Sequence, residues 1–287
     1  MTPVVDVAWL VAHLDDPDLV LLDASITRSV AADGATQFAP GHDAYAAVHL
    51  PGARFADLYD GFSDPEAAYL FTRPTAAQLD AALRAVGVGP RSTIVVYDQL
   101  TGSYAARVWL VLRSYGVTAR VLDGGLAAWT AAGHPTESGP ATPVAPGEGV
   151  VLHDDPTVFA DLEETRALSE ASAVGETTLV CALREVEYRG DPERERTGHI
   201  PGSLSLPFPD TLDAAGRYDA AATRERADAL GVGAGPVLAY CGGGVNAAGL
   251  ALAFVHAGLD LPRVYDGSLN EWRAHPELPL VVGTEPA

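Results

Sequence analysis

The sequence predicts an α/β protein built from two tandem copies of one domain, each a mainly parallel sheet flanked by helices. Three observations carry that reading. First, short apolar runs ending in a loop alternate with helical stretches. Ile94-Val95-Val96-Tyr97-Asp98 precedes the helical Ala105–Tyr115, and Val237-Leu238-Ala239-Tyr240-Cys241 precedes Ala247–His256. Second, landmarks recur in one order: the pairs Asp98/Cys241, Asp123/Asp266 and Trp129/Trp272 each lie 143 positions apart. Third, His49-Leu50-Pro51-Gly52-Ala53 is echoed by His199-Ile200-Pro201-Gly202-Ser203. Strands alternating with helices imply parallel sheets with right-handed crossovers.

The 287 residues suit two domains of about 140 residues each. Gly139–Gly149 is a Pro/Gly/Ala stretch without periodicity. The expected division is therefore a first domain over 1–140, a linker over 141–150 and a second domain over 151–287.

Composition narrows the function. The net charge is −20 and all 18 basic residues are arginine, so nucleic acid and anionic membrane surfaces are excluded as main partners. The first residues lack the cationic and apolar segments of an export signal, and a cytoplasmic location is expected. Cys181 and Cys241 are then expected as free thiols. The eight histidines show no metal-ligand spacing, and neither a metal nor a cofactor is expected.

Cys241 ends a predicted strand and opens Cys241-Gly242-Gly243-Gly244-Val245-Asn246. Loops at the carboxyl ends of parallel strands are where such sheets bind ligands. Three glycines remove side chains and admit backbone angles closed to other residues. Their N–H groups can then turn inward around the sulfur at a helix N-terminus, an arrangement that favours thiolate and would hold a persulfide anion. On this loop alone, Cys241 is as readily a small buried residue as a nucleophile. The repeat separates the two. The matching residue is Asp98, in a loop read as equal in length but without a thiol, which makes one domain chemical and the other structural.

These motifs together resemble the tandem rhodanese family, which includes thiosulfate and 3-mercaptopyruvate sulfurtransferases. Tyr45-Ala46-Ala47-Val48-His49-Leu50-Pro51-Gly52-Ala53 is similar to the family's N-terminal signature. Val264-Tyr265-Asp266-Gly267-Ser268-Leu269-Asn270-Glu271-Trp272 resembles the C-terminal one, with Leu269 where tryptophan is usual. Cys241–Ala247 resembles the mercaptopyruvate-type loop Cys-Gly-Ser-Gly-Val-Thr-Ala. The resemblance implies two rhodanese-like domains, the first lacking the catalytic cysteine. It implies transfer of sulfur from a small anionic donor, through a Cys241 persulfide, to a thiol or cyanide acceptor, with a thioredoxin-like reductant as a partner and no cofactor. The donor would bind in the loop over Gly242, Gly243, Gly244, Val245 and Asn246.

Departures from the pattern bear on the substrate. Gly243 replaces the usual serine and Asn246 the threonine. Aligned on Tyr188 and Gly190, the family's two donor-binding arginines become Leu183 and Glu187. Arg184 and Arg189 lie beside them and are the substitutes, or else are ordinary surface arginines. The acid and histidine that mercaptopyruvate enzymes take from the first domain correspond to Tyr59 and Phe71. Asp57 or Asp60 could stand in for the acid, with no histidine in that stretch. Cys181, at the end of another strand, is either a buried core thiol or a partner that bonds Cys241 or accepts its sulfur. His49 and His199 are read as hydrogen-bonding their turns, and Trp129 and Trp272 as packing residues.

Two other functions were weighed. A cysteine phosphatase loop, Cys-x5-Arg, is a weak reading because the sixth residue after Cys241 is Ala247. A non-catalytic rhodanese-fold binding or regulatory protein is the alternative left by the altered donor arginines.

Overall fold

Buried apolar runs set the framework of a computed structural model that describes residues 2–30, 36–171, 177–232 and 235–285. The chain divides into two units, Met1–Asp155 and Pro156–Ala287.

In the first unit, strands β1 (Val4–Val5), β2 (Leu19–Asp23), β5 (Arg54–Phe55), β6 (Thr93–Tyr97) and β7 (Ala119–Leu122) form a parallel sheet in the order β1-β7-β6-β2-β5. Its central strands read as continuous Val/Ile/Leu runs because both faces are covered. The helices are α1 (Val7–His13), α2 (His42–Ala47), α3 (Ala76–Ala85), α4 (Ser103–Ser114) and α5 (Gly125–Ala131). Strands β3 (Ile26–Val30) and β4 (Thr36–Pro40) pair as an antiparallel hairpin outside the repeat.

The second unit repeats the plan. Strands β8 (Phe159–Ala160), β9 (Thr178–Cys181), β10 (Leu204–Ser205), β11 (Val237–Tyr240) and β12 (Arg263–Tyr265) form a parallel sheet ordered β8-β12-β11-β9-β10, the same sequence of strands as in the first. Its helices are α6 (Leu162–Ala171), α7 (Glu185–Arg189), α8 (Ala220–Ala229), α9 (Val245–His256) and α10 (Ser268–Ala274).

The repeated side chains make repeated contacts. His49 donates from Nδ1 to the Tyr45 carbonyl (2.8 Å) and stacks on that ring; His199 does the same with Tyr188 (2.9 Å). Each tyrosine hydroxyl then closes the turn, on Ala53 O and Ser203 O, both at 2.6 Å. Trp129 and Trp272 are buried, and their indole N–H groups donate to Pro135 O and Pro279 O. Residues 145–149 lie along the first unit: the N–H of Gly147 donates to Arg84 O and that of Gly149 to Val88 O. No helix among the described residues is long and apolar enough to cross a membrane.

Candidate active site

Strand β11 is buried throughout and delivers Cys241 to the sheet's carboxyl edge, where the residue is only 2% exposed. Gly244 caps helix α9 in the left-handed region at φ 77°, so the last glycine of the loop is required by its backbone. Gly242 and Gly243 do not take positive φ, a correction to the reading that all three glycines serve backbone angles. Val245 and Asn246 open α9, whose apolar face is buried and whose N-terminus meets the loop. The sequence-predicted residues Cys241, Gly242, Gly243, Gly244, Val245 and Asn246 therefore run without a break from the end of β11 into the first turn of α9. A helix N-terminus places orphan N–H groups and a partial positive charge there.

The first turn of α10 braces that loop, which sequence reasoning missed. The Cys241 N–H donates to Ser268 Oγ (3.2 Å), and the Ser268 hydroxyl donates to Tyr265 O (2.8 Å). Leu269 N–H donates to Cys241 O (3.0 Å) and Asn270 N–H to Gly242 O (2.8 Å). Ser268 holds φ 50°, and its counterpart Gly125 holds φ 52°. The Gly125/Ser268 mismatch inside a repeated Asp-Gly motif was the available signal.

The first unit shows what such a cradle does. Asp98 Oδ1 accepts the N–H groups of Leu100 (2.8 Å) and Gly102 (3.0 Å), and Oδ2 those of Tyr104 (3.1 Å) and Ala105 (3.0 Å). Burial raises the Asp98 pKa, and these N–H donors oppose that rise. Gly102 caps α4 at φ 79°, as Gly244 caps α9. Counted from the capping glycine, the same four amides in the second unit belong to Gly242, Gly244, Asn246 and Ala247. The two loops are not of equal length, a correction to the sequence reading: Asp98 lies four residues before its capping glycine and Cys241 three before its own. The helices therefore start out of step with the strands by one residue, a shift the strand and tryptophan spacings do not record.

Cys181 ends β9 directly opposite Tyr240 in the parallel ladder, so those two side chains share a face. Cys181 is fully buried, and burial pushes its thiol up to about 12 against the Leu183 N–H and Tyr240 hydroxyl that favour thiolate. Both cysteines are free.

Arg184 precedes α7 as its N-cap and Arg189 is its last residue, both at the surface. Arg184 Nε donates to Glu187 Oε2 (3.0 Å) and Arg189 Nε to Glu185 Oε1 (2.9 Å), with the arginine side chains 60% and 56% exposed. Their charges are thus partnered within a five-residue helix. In the first unit, Asp57 has a histidine beside it from outside the stretch considered in the sequence. His42, at the start of α2, places Nε2 3.0 Å from Asp57 Oδ2.

The rhodanese-like domain family matches residues 6–132 and 177–275. The chain is 31% identical to the 3-mercaptopyruvate sulfurtransferase of Escherichia coli K12, over 95% of each chain. It is 32% identical to the mitochondrial thiosulfate/3-mercaptopyruvate sulfurtransferase 1 of Arabidopsis thaliana, over 97% of this chain and 78% of that one. Among solved structures, SseA from E. coli, a 3-mercaptopyruvate enzyme, superposes with a TM-score of 0.79 at 26% identity, covering 93% of this chain and 99% of that one. With two matched regions, relatives of one activity along its whole length and their fold, this chain belongs to the rhodanese family of sulfurtransferases.

Proposed function

We propose that Cys241 is the nucleophile and that it carries sulfur as a persulfide inside the α9 cradle. The observation that carries this reading is Asp98. Its carboxylate oxygens, held by four amides, stand three bonds from Cα. The outer sulfur of a cysteine persulfide stands at the same remove, so the first copy displays an anion of persulfide reach in the homologous cradle.

The Cys241 thiolate attacks the outer sulfur of a small anionic donor. From thiosulfate the S–S bond breaks and its electron pair leaves with sulfite. From 3-mercaptopyruvate the C–S bond breaks, and the carbon takes a proton to give pyruvate. The amides of Gly242, Gly244, Asn246 and Ala247 hold the persulfide anion. A thiolate or cyanide then attacks the outer sulfur, Cys241 leaves as thiolate, and a new persulfide or thiocyanate forms. A thioredoxin-like dithiol would resolve the same intermediate to sulfide and its own disulfide. Arg184 and Arg189 are candidates for attracting the donor only through whatever charge their glutamates leave. A non-catalytic binding role is the alternative reading.

Thiocyanate formation from thiosulfate and cyanide tests the assignment. Wild type and Cys181→Ser turn over and Cys241→Ser does not; turnover in Cys241→Ser would refute it.

A further inference from the structure

Gly243 lacks a side chain for a reason its backbone does not supply. It does not take positive φ, so the left-handed region is not what calls for glycine there. A Cβ built on it would meet Asn270 Nδ2 at 2.9 Å, whereas a Cβ on Gly242 would meet nothing within 4 Å. The volume a side chain at 243 would fill is already taken by the Asn270 carboxamide.

The backbone that carries this carboxamide is anchored. The Asn270 N–H donates to Gly242 O at 2.8 Å, next to the Leu269 N–H on Cys241 O at 3.0 Å, so the backbone of Asn270 rides on the loop. Only two side-chain torsions separate that anchored backbone from the amide. Asn270 is exposed while Cys241 is almost wholly buried, so the amide lies on the solvent side of the loop, where a small molecule must arrive.

We propose that Asn270 is a donor-recognition residue. Its amide N–H donates a hydrogen bond to an oxygen of the donor's anionic leaving portion, a sulfonate or a 2-oxo carboxylate, as sulfur passes to Cys241. The polar group at the mouth of the cradle thus comes from α10 across the loop instead of from the loop itself. The absent side chain at Gly243 and the presence of Asn270 are one feature, a small residue making room for a polar one. A neutral amide attracts no general excess of anions, so its contribution is selective for an oxygen at this one place. The inference rests on Cys241 being the sulfur carrier.

The test is persulfide loading of Cys241 against donor concentration, read by intact mass with thiosulfate and with 3-mercaptopyruvate. The proteins are wild type, Asn270→Ala, Gly243→Ser and the double variant, each with its unfolding midpoint measured. For at least one donor, Asn270→Ala needs about tenfold more to reach half loading, the loss of one hydrogen bond to an anionic oxygen, with the final extent of loading and the midpoint unchanged. Gly243→Ser in the Asn270→Ala background returns a hydroxyl to the vacated space and recovers part of the loss. In the wild-type background the same serine displaces the amide, so the two substitutions are non-additive. Equal half-loading concentrations for wild type and Asn270→Ala with both donors would overturn the role of Asn270 and leave Cys241 as carrier. No loading of wild type by either donor would overturn both.

Discussion

The hydroxyl of Ser268 accepts the N–H of Cys241 at 3.2 Å while Ser268 itself sits in the left-handed region at φ 50°. The residue with the strained backbone is therefore the one that anchors the candidate nucleophile. Its counterpart Gly125 adopts the same φ without a side chain, because a Cβ there would meet Asp98 O at 2.3 Å. The second unit keeps a conformation costing about 1 kcal/mol for a non-glycine residue, and the hydroxyl offsets it.

Separate substitutions divide these effects. Ser268→Ala keeps the strain and leaves the Cys241 N–H without its acceptor, whereas Ser268→Gly loses the acceptor and relieves the strain. Urea unfolding is expected to rank Ser268→Ala below Ser268→Gly by about 1 kcal/mol. The reverse order would remove Ser268 from this role.

Asp98 gives a second prediction. Asp98→Ala leaves four amides, two of them buried, without their acceptor and should lower stability by about 3 kcal/mol, measured by urea unfolding. Added formate, a carboxylate small enough for the vacated space, should raise the midpoint of Asp98→Ala and leave wild type unmoved. A variant indifferent to formate would mean that the cradle does not hold anions once Asp98 is gone.

Cys181 is predicted to stay silent. Its folded-state pKa, at about 12, lies above the ordinary thiol value of 9.0. The buried thiol therefore contributes stability that is fully present below about pH 9 and is lost as pH rises toward 12. Iodoacetamide at pH 7–8 should label Cys241 and spare Cys181 in peptide maps, and mild peroxide should give no bond between them, since Cys181 is fully buried and burial keeps its thiol protonated. A Cys181–Cys241 disulfide would contradict this silence.

Arg184→Ala and Arg189→Ala should each change stability by less than about 1 kcal/mol, as exposed ion pairs do. With each guanidinium engaged by its own helix, half-loading donor concentrations should stay within about twofold of wild type. A larger shift in either variant would place that arginine in the donor site.

Much of this was legible in the sequence. The 143-residue spacing of Trp129/Trp272 and the His49/His199 turns fixed two copies of one parallel sheet, because core residues and turn residues carry their own chemical reasons. Cys241 at a strand end before glycines was equally readable. What escaped were relations carried by tertiary contacts. Ser268 and Asn270 reach the loop only because β12 lies beside β11, and nothing local to them says so. The pairing of Arg184 with Glu187 and Arg189 with Glu185 depends on where a five-residue helix begins. His42 meets Asp57 across 15 residues of chain, too far for a spacing argument.

The central claim is that Cys241 carries sulfur. Intact mass after incubation with thiosulfate and, separately, 3-mercaptopyruvate tests it most directly, with wild type beside Cys241→Ser. The account predicts one added sulfur on wild type, removed by a thiol reductant and never seen on Cys241→Ser. An added sulfur on Cys241→Ser, or none on wild type with either donor, would contradict it.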